Sequence, residues 1–321
     1  MEKKIIVAYT ELTENNKEKI RKTAGRYGYA ARFFPSAKEA IPDAADAEIV
    51  YGQGTELFLA AKEAKWFCSG AAGVDFAYRG GKPLRTDLLL TNSRGSYGVT
   101  ISEHICMVLL ELLRRQMDYE KIVKEKKWVR NLPVRSIRGS RITILGTGDL
   151  GKEAAIRLRG FVPLCITGVN RSGVCTEGAF DRVCTVEELE KLLPVTDILI
   201  MCLPGTRRTE GLLSRERLEM LPSHAVLVNV GRGSAVDQTA LAELLTEGRL
   251  AGAALDVFET EPIPENDFIW DCRNLLITPH IAGNMTLEYT VEKNVELFCR
   301  DLENYCEGRK LERLVDLEEG Y

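Results

Sequence analysis

Residues Arg141–Gly151 read RITILGTGDLG. Arg141–Leu145 form a short apolar run of strand type. Gly146, Gly148 and Gly151 follow at the G-x-G-x-x-G spacing, and Lys152–Arg159 continue as a helix. Each glycine of such a loop has its own physical task. The first permits a tight turn, the second lets backbone approach a pyrophosphate, and the third lets helix and strand pack closely. Free N–H groups at the helix N-terminus then face the phosphates. Glycines at this spacing also make plain turns, but between a strand and a helix they predict a dinucleotide site.

The chain beyond the loop repeats the alternation. Leu164–Val169 is the next strand, Thr185-x-x-Glu188 a capping box opening a helix, and Asp197–Leu203 a third strand ending at Pro204. Ser214–Leu221 reads as a short helix, Ala225–Val230 as a strand, and Asp237–Glu247 as a helix closed by Gly248. Ala253–Val257 and Leu275–Ile277 are the last strands. Before the loop, Lys4–Ala8, Ala47–Tyr51, Trp66–Ser69 and Leu88–Thr91 read as strands, with helices over Thr13–Tyr27 and Thr55–Ala64. Gly70–Asp75, GAAGVD, is a turn of small residues past a strand's C-terminal end, where open α/β sheets bind ligands. Thr100-x-x-Glu103 predicts a capping box ahead of the apolar run Ile105–Leu113. Leu287–Cys306 reads as a long amphipathic helix crossing back to the first region. The class is α/β, with two Rossmann-like domains built on doubly wound parallel sheets.

Composition narrows the function. A chain of 321 residues suits two domains, and 45% hydrophobic with 28% charged residues is the make-up of a soluble globular protein. A net charge of −4 gives no general attraction to nucleic acid or to anionic membranes. The basic run Lys121–Arg130 is short and reads as a solvated helix face or arm. No apolar run approaches the roughly 20 residues that span a bilayer. The nine cysteines are scattered and form no C-x-x-C pair. They predict neither a disulfide framework nor a metal site, and they fit a reducing, cytoplasmic setting.

Few residues are placed for chemistry. Of three histidines, His104 falls inside an apolar helix and reads as a packed residue, and His224 falls in a polar turn at the surface. His280 follows the strand LLIT and a proline, with Ile281-Ala282-Gly283 after it, a position fit for an acid or base. Arg232 stands between Gly231 and Gly233 directly after a strand, where a guanidinium can hold a carboxylate bidentately. Glu261, in FETEP, is a loop carboxylate that beside a histidine would favour imidazolium.

NVGRG at 229–233, ALDVFETEP at 254–262 and TPHIAG at 278–283 resemble the three signatures of the D-isomer-specific 2-hydroxyacid dehydrogenase family, and GTGDLG sits where that family has its glycine loop. The likeness covers nearly the whole chain. It implies a nucleotide-binding domain, here 99–284, inserted into a split substrate domain, here 1–98 and 285–321, with the active site in the cleft between them. Carried over, Arg232 binds the substrate carboxylate, His280 is the general acid in reduction and the base in oxidation, and Glu261 keeps His280 protonated. The amides of Ala72, Gly73 and Val74 match the carboxylate-holding loop. Gly146, Thr147, Gly148, Asp149, Leu150 and Gly151 would hold the pyrophosphate. Leu203, Pro204, Thr209, Val230 and Asp256 would place the nicotinamide half.

One departure from the pattern decides the expected cofactor. NAD-preferring relatives carry an acidic residue at the end of the second strand, and here that place is Asn170, followed by Arg171 and Ser172. A carboxylate repels a 2′-phosphate, whereas arginine and serine accommodate it. NADP(H) is therefore expected ahead of NAD(H). The resemblance implies a homodimeric reductase of small 2-oxoacids, glyoxylate or hydroxypyruvate in type, yielding D-2-hydroxyacids. Helix Thr100–Arg115 and its basic arm are the candidate interface. A short-form phosphoglycerate dehydrogenase and a nucleotide-sensing, corepressor-like protein without turnover are the alternatives. Phe33, Tyr51, Tyr78 and Tyr97 are aromatic candidates for shaping the substrate pocket.

Overall fold

The structure, a computed structural model, describes residues 3–174 and 178–321. The chain folds as two compact units, Met1–Tyr97 with Asn284–Tyr321, and Gly98–Gly283. The strands of the first unit are β1 (Lys3–Ala8), β2 (Tyr29–Phe34), β3 (Ile49–Gly52), β4 (Trp66–Ser69), β5 (Tyr78–Arg79), β6 (Lys82–Pro83) and β7 (Leu89–Thr91). β5 and β6 pair with each other, and the other five make a parallel sheet in the order β2-β1-β3-β4-β7. α1 (Glu14–Arg26), α2 (Ala37–Ala40) and α3 (Thr55–Ala60) connect these strands.

β1 shows why Ile5–Ala8 is apolar throughout. Ile5 and Val7 enter one core cluster with Phe298 and Leu302 of the C-terminal helix Glu288–Cys306, while Ile6 and Ala8 enter another with Leu57 and Phe58. A strand buried on both faces has no polar alternation. The return of the chain after residue 283 therefore supplies, together with Ile20 and Ala24 of α1, one of the two layers that cover this sheet. Phe298 stacks on Tyr51 with ring centroids 4.3 Å apart and on Trp66 at 5.4 Å.

The second unit opens with α4 (Gly98–Arg114) and α5 (Gln116–Lys124) and continues β8 (Arg141–Leu145), α6 (Asp149–Arg159), β9 (Cys165–Asn170), β10 (Arg182–Thr185), α7 (Leu189–Leu192), β11 (Ile198–Met201), α8 (Arg215–Glu219), β12 (Val226–Asn229), α9 (Gln238–Thr246), β13 (Gly252–Leu255) and β14 (Leu275–Ile277). Its parallel sheet has the order β10-β9-β8-β11-β12-β13-β14. Strand order reverses direction between β8 and β11, the switch point where doubly wound sheets bind ligands beyond the strands' C-terminal ends.

Three local readings differ from the sequence expectations. β2 is an added edge strand: YAARFF carries Arg32 and only Tyr29 is buried, so it lacks an apolar run. β10, RVCT, is the opposite edge of the other sheet and has one buried residue, Cys184. α4 begins at Gly98, so Thr100 lies within its first turn and is not its N-cap. The close approach of α6 explains that start, since a Cβ on Gly98 would sit 2.7 Å from Glu153 Cγ and 2.9 Å from Asp149 Oδ2. The Thr185–Glu188 capping box is present as expected. Among the described residues no helix is long and apolar enough to cross a membrane, and no cluster of metal-ligating side chains occurs. Eight cysteines are free thiols, and Cys175 lies outside the described residues.

Candidate active site

The second unit's predicted site residues lie at or past the C-terminal ends of its parallel strands. The glycine loop leaves β8 with Gly146 at φ +98°. A Cβ on Gly146 would lie 2.7 Å from the carbonyl oxygen of Cys202, and one on Gly151 only 1.9 Å from that of Gly146. Gly148 differs from both. It is exposed, it precedes the first turn of α6, and a Cβ there would meet nothing within 4 Å. Protein packing therefore does not require glycine at 148, and the open space is what a pyrophosphate needs. The Asp149 carboxylate turns toward the start of α4. The first-turn amides of α6 and this open face fit a dinucleotide's phosphates.

At the end of β9 the Asn170 side chain organises its own loop. Its Nδ2 donates to Thr147 Oγ1 at 2.7 Å and to the Val174 carbonyl at 2.9 Å, and its Oδ1 accepts from the amides of Ser172 (3.0 Å) and Gly173 (2.7 Å). Arg171 and Ser172 are exposed on this loop. Past β11, Thr209 Oγ1 donates to the Pro204 carbonyl at 2.7 Å and accepts from Thr206 N–H at 2.9 Å, closing the turn after Leu203. Leu150 is half-buried in the first turn of α6. Val230 is buried and its amide donates to the Met201 carbonyl at 3.1 Å.

Arg232 sits on a turn wedged between two neighbouring strand ends. A Cβ on Gly231 would lie 2.6 Å from the Leu203 carbonyl oxygen, and one on Gly233 1.9 Å from the Phe258 carbonyl carbon. Both flanking glycines are thus required by packing. The buried Asn229 side chain braces the turn by donating to the Arg232 carbonyl at 2.9 Å and accepting from Gly231 N–H at 3.0 Å. The Arg232 guanidinium donates to the Gly231 carbonyl at 2.7 Å and is half-buried.

His280 and Glu261 meet. His280 Nδ1 lies 2.6 Å from Glu261 Oε2, and Glu261 Oε1 accepts from Phe258 N–H at 2.9 Å. A carboxylate only accepts, so Nδ1 carries the proton and Nε2 is the ring nitrogen that Glu261 leaves unengaged. Among the described residues no hydrogen-bond partner faces Nε2. Asp256 is buried and its carboxylate accepts from Thr278 Oγ1 (2.6 Å) and from the amides of Ile281 and Ala282 (2.9 Å each). Sequence reasoning missed this hub, because its three donors come from the far side of an intervening loop. It also missed that His104, read as a packed helix residue, brings Nε2 to 3.3 Å from Thr278 Oγ1.

In the first unit the turn after β4 is pinned from several sides. Gly70 N–H donates to Tyr9 Oη, while its carbonyl accepts from Tyr97 Oη (2.5 Å) and Asn294 Nδ2 (2.8 Å). The Ala72 carbonyl accepts from Asn92 Nδ2 at 2.9 Å. Among the described residues, no acceptor is bonded to the amides of Ala72, Gly73 or Val74. Tyr51 and Tyr97 are buried core residues, whereas Phe33 and Tyr78 are partly exposed.

Comparison with known proteins puts names beside this geometry. Residues 106–282 match the family described as D-isomer specific 2-hydroxyacid dehydrogenase, NAD binding domain. The chain is 30% identical over 270 residues to a glyoxylate reductase of Korarchaeum cryptofilum (strain OPF8), covering 82% of this chain and 79% of that one. Among solved structures it is similar to a D-isomer specific 2-hydroxyacid dehydrogenase family protein from Aeromonas salmonicida subsp. salmonicida A449, with 29% identity, a TM-score of 0.85, and 99% and 100% of the two chains covered. It is also similar to an NADPH-dependent glyoxylate/hydroxypyruvate reductase from Sinorhizobium meliloti in complex with NADP and sulfate, with 25% identity, a TM-score of 0.81, and 99% and 100% covered.

Proposed function

The chain belongs to the D-isomer-specific 2-hydroxyacid dehydrogenase family, and from that premise we propose that it reduces small 2-oxoacids of the glyoxylate and hydroxypyruvate type to D-2-hydroxyacids with NADPH. As a member it is an NAD(P)-dependent oxidoreductase. The observation that carries the finer reading is the 2.6 Å pairing of His280 Nδ1 with Glu261, which leaves Nε2 for proton transfer. The reduced nicotinamide, when bound, supplies a hydride to the carbonyl carbon. His280 Nε2–H gives its proton to the carbonyl oxygen, and the ring is left as the Nδ1–H tautomer on Glu261. Arg232 binds the substrate carboxylate and polarises the carbonyl, and the amides of Ala72, Gly73 and Val74 hold a carboxylate in the first unit.

Gly146–Gly151 would hold the phosphates. NADP(H) is favoured over NAD(H) because Asn170 replaces a carboxylate and Arg171 and Ser172 stand exposed beside it. The reductase of Sinorhizobium meliloti, itself in complex with NADP, supports the same choice. The scattered free thiols fit the reducing cytoplasm. A homodimer is proposed through α4 and α5, where Met107, Leu110 and Val123 are exposed.

The test is oxidation of NADPH and of NADH against a panel of 2-oxoacids, with His280→Ala alongside. Turnover of glyoxylate or hydroxypyruvate, faster with NADPH and reduced by a factor of about 100 or more in His280→Ala, is the expected result. Tight NADPH binding without turnover of any panel member would overturn the reductase reading. Equal kcat/KM for the two cofactors would overturn the preference.

A further inference from the structure

We infer that His104 is a positioning residue for the His280 loop, acting through Thr278 and Asp256; the inference rests on the reading of His280 as the proton donor. His280 has φ +54°, in the left-handed region that a residue with a side chain seldom occupies unless its surroundings hold it there. What holds it is Asp256. The Asp256 carbonyl accepts from His280 N–H at 2.9 Å, and its carboxylate takes the next two amides of the loop and the Thr278 hydroxyl. The backbone from 278 to 282 is thus wrapped around one buried carboxylate.

The proton inventory then extends to α4. A threonine hydroxyl has a single hydrogen, and at 2.6 Å from an acceptor-only carboxylate that hydrogen belongs to Asp256. The same oxygen lies 3.3 Å from His104 Nε2, so there it accepts and His104 donates. Burial pushes the His104 imidazole below its ordinary pKa, opposed by the nearby Asp256 charge, so at neutral pH the donor is a neutral ring in its Nε2–H tautomer. A neutral donor orients the hydroxyl without adding a charge beside Asp256. Thr278 is left with one arrangement, and Asp256 with it.

His104→Phe and Thr278→Val each remove one link, whereas His104→Gln and Thr278→Ser keep an N–H donor and a hydroxyl. Each full-length variant is assayed with NADPH and with glyoxylate and hydroxypyruvate, beside thermal melts, NADPH titration and amide hydrogen exchange over residues 278–283. The expected result for the first pair is a fall in kcat of about tenfold, within the range that a sub-ångström displacement of a reacting group produces. NADPH affinity and melting temperature should change little, and the loop amides should exchange about tenfold faster. The second pair should recover most of the loss, and the double variant His104→Phe/Thr278→Val should be no worse than Thr278→Val alone. Wild-type kcat and exchange in His104→Phe, with His280→Ala inactive, would overturn the inference alone. So would losses that follow the melting temperature and are not recovered by glutamine. An active His280→Ala would overturn the reading of His280 and the inference with it.

Discussion

The three glycines of the loop past β8 are constrained by different things, and single substitutions separate them. Gly151 has no room, because a Cβ would lie 1.9 Å from the Gly146 carbonyl oxygen. Gly151→Ala is expected to destabilise the unit by about 1–3 kcal/mol or more, the cost of overpacking. Gly148 faces open space, so Gly148→Ala should melt like the parent yet bind NADPH about tenfold more weakly, because the methyl occupies the pyrophosphate's approach. Thermal melts beside NADPH titration check both, and a large loss of melting temperature in Gly148→Ala would sink the distinction. Position singled out Arg232 and His280, each past a strand in a turn of small residues, and Glu261 in the loop after Ala253–Val257, while the family resemblance supplied the role of each. Asp256 as a hub and the contact of His104 could not be read that way. They need residues 104, 256 and 278 at one place, and no local pattern encodes that meeting. Asn170 was legible as a missing carboxylate, but its use in bracing Thr147 and the following loop was not.

Among the elements, central strands were legible and edges were not. β1, β4, β8 and β12 are buried on both faces over most of their length and carry mainly apolar residues there. β2 and β10 are half-covered, so their sequences carry neither the run nor a clean alternation. Strands also need fastening at their N-terminal ends, far from the ligand side. Asp197, just before β11, accepts from Arg141 N–H at 2.6 Å at the start of β8 and pairs with His224 Nε2 at 2.7 Å ahead of β12. Burial works against its charge, yet these hydrogen bonds hold its carboxyl below the ordinary carboxylate range. A depressed folded-state pKa adds stability that is complete above the unfolded carboxylate's pKa and is lost as pH falls through the folded one. Asp197→Asn should therefore cost about 1–2 kcal/mol at pH 7 and lose less than the parent between pH 5 and the acid limit. Urea unfolding across that range would show it, and parallel pH profiles for the two proteins would refute it.

For the whole molecule, the proposed second copy and the return of the chain matter most. α4 leaves Met107 45% and Leu110 37% exposed, and Trp128 after α5 is 90% exposed. Side chains of this kind in water mark an interaction surface when they cluster. Light scattering should give a mass twice the 35.8 kDa of one chain, and Leu110→Glu should halve it. A dimer that survives that change would move the interface elsewhere. The return of the chain is secured by the buried pair Arg313–Asp301 at 3.0 Å, with Arg313 also donating to the Asn92 carbonyl at 2.6 Å. It has a consequence for biosynthesis. On the ribosome, the second unit is complete once Gly283 has emerged, while the first still lacks Glu288–Cys306 and Arg313. Domains fold as units during synthesis. β1 to β7, made before the second unit, are thus enclosed after it, and until then the part of their sheet that Phe298 and Leu302 cover, beside α1, stays open to chaperones and to other nascent chains.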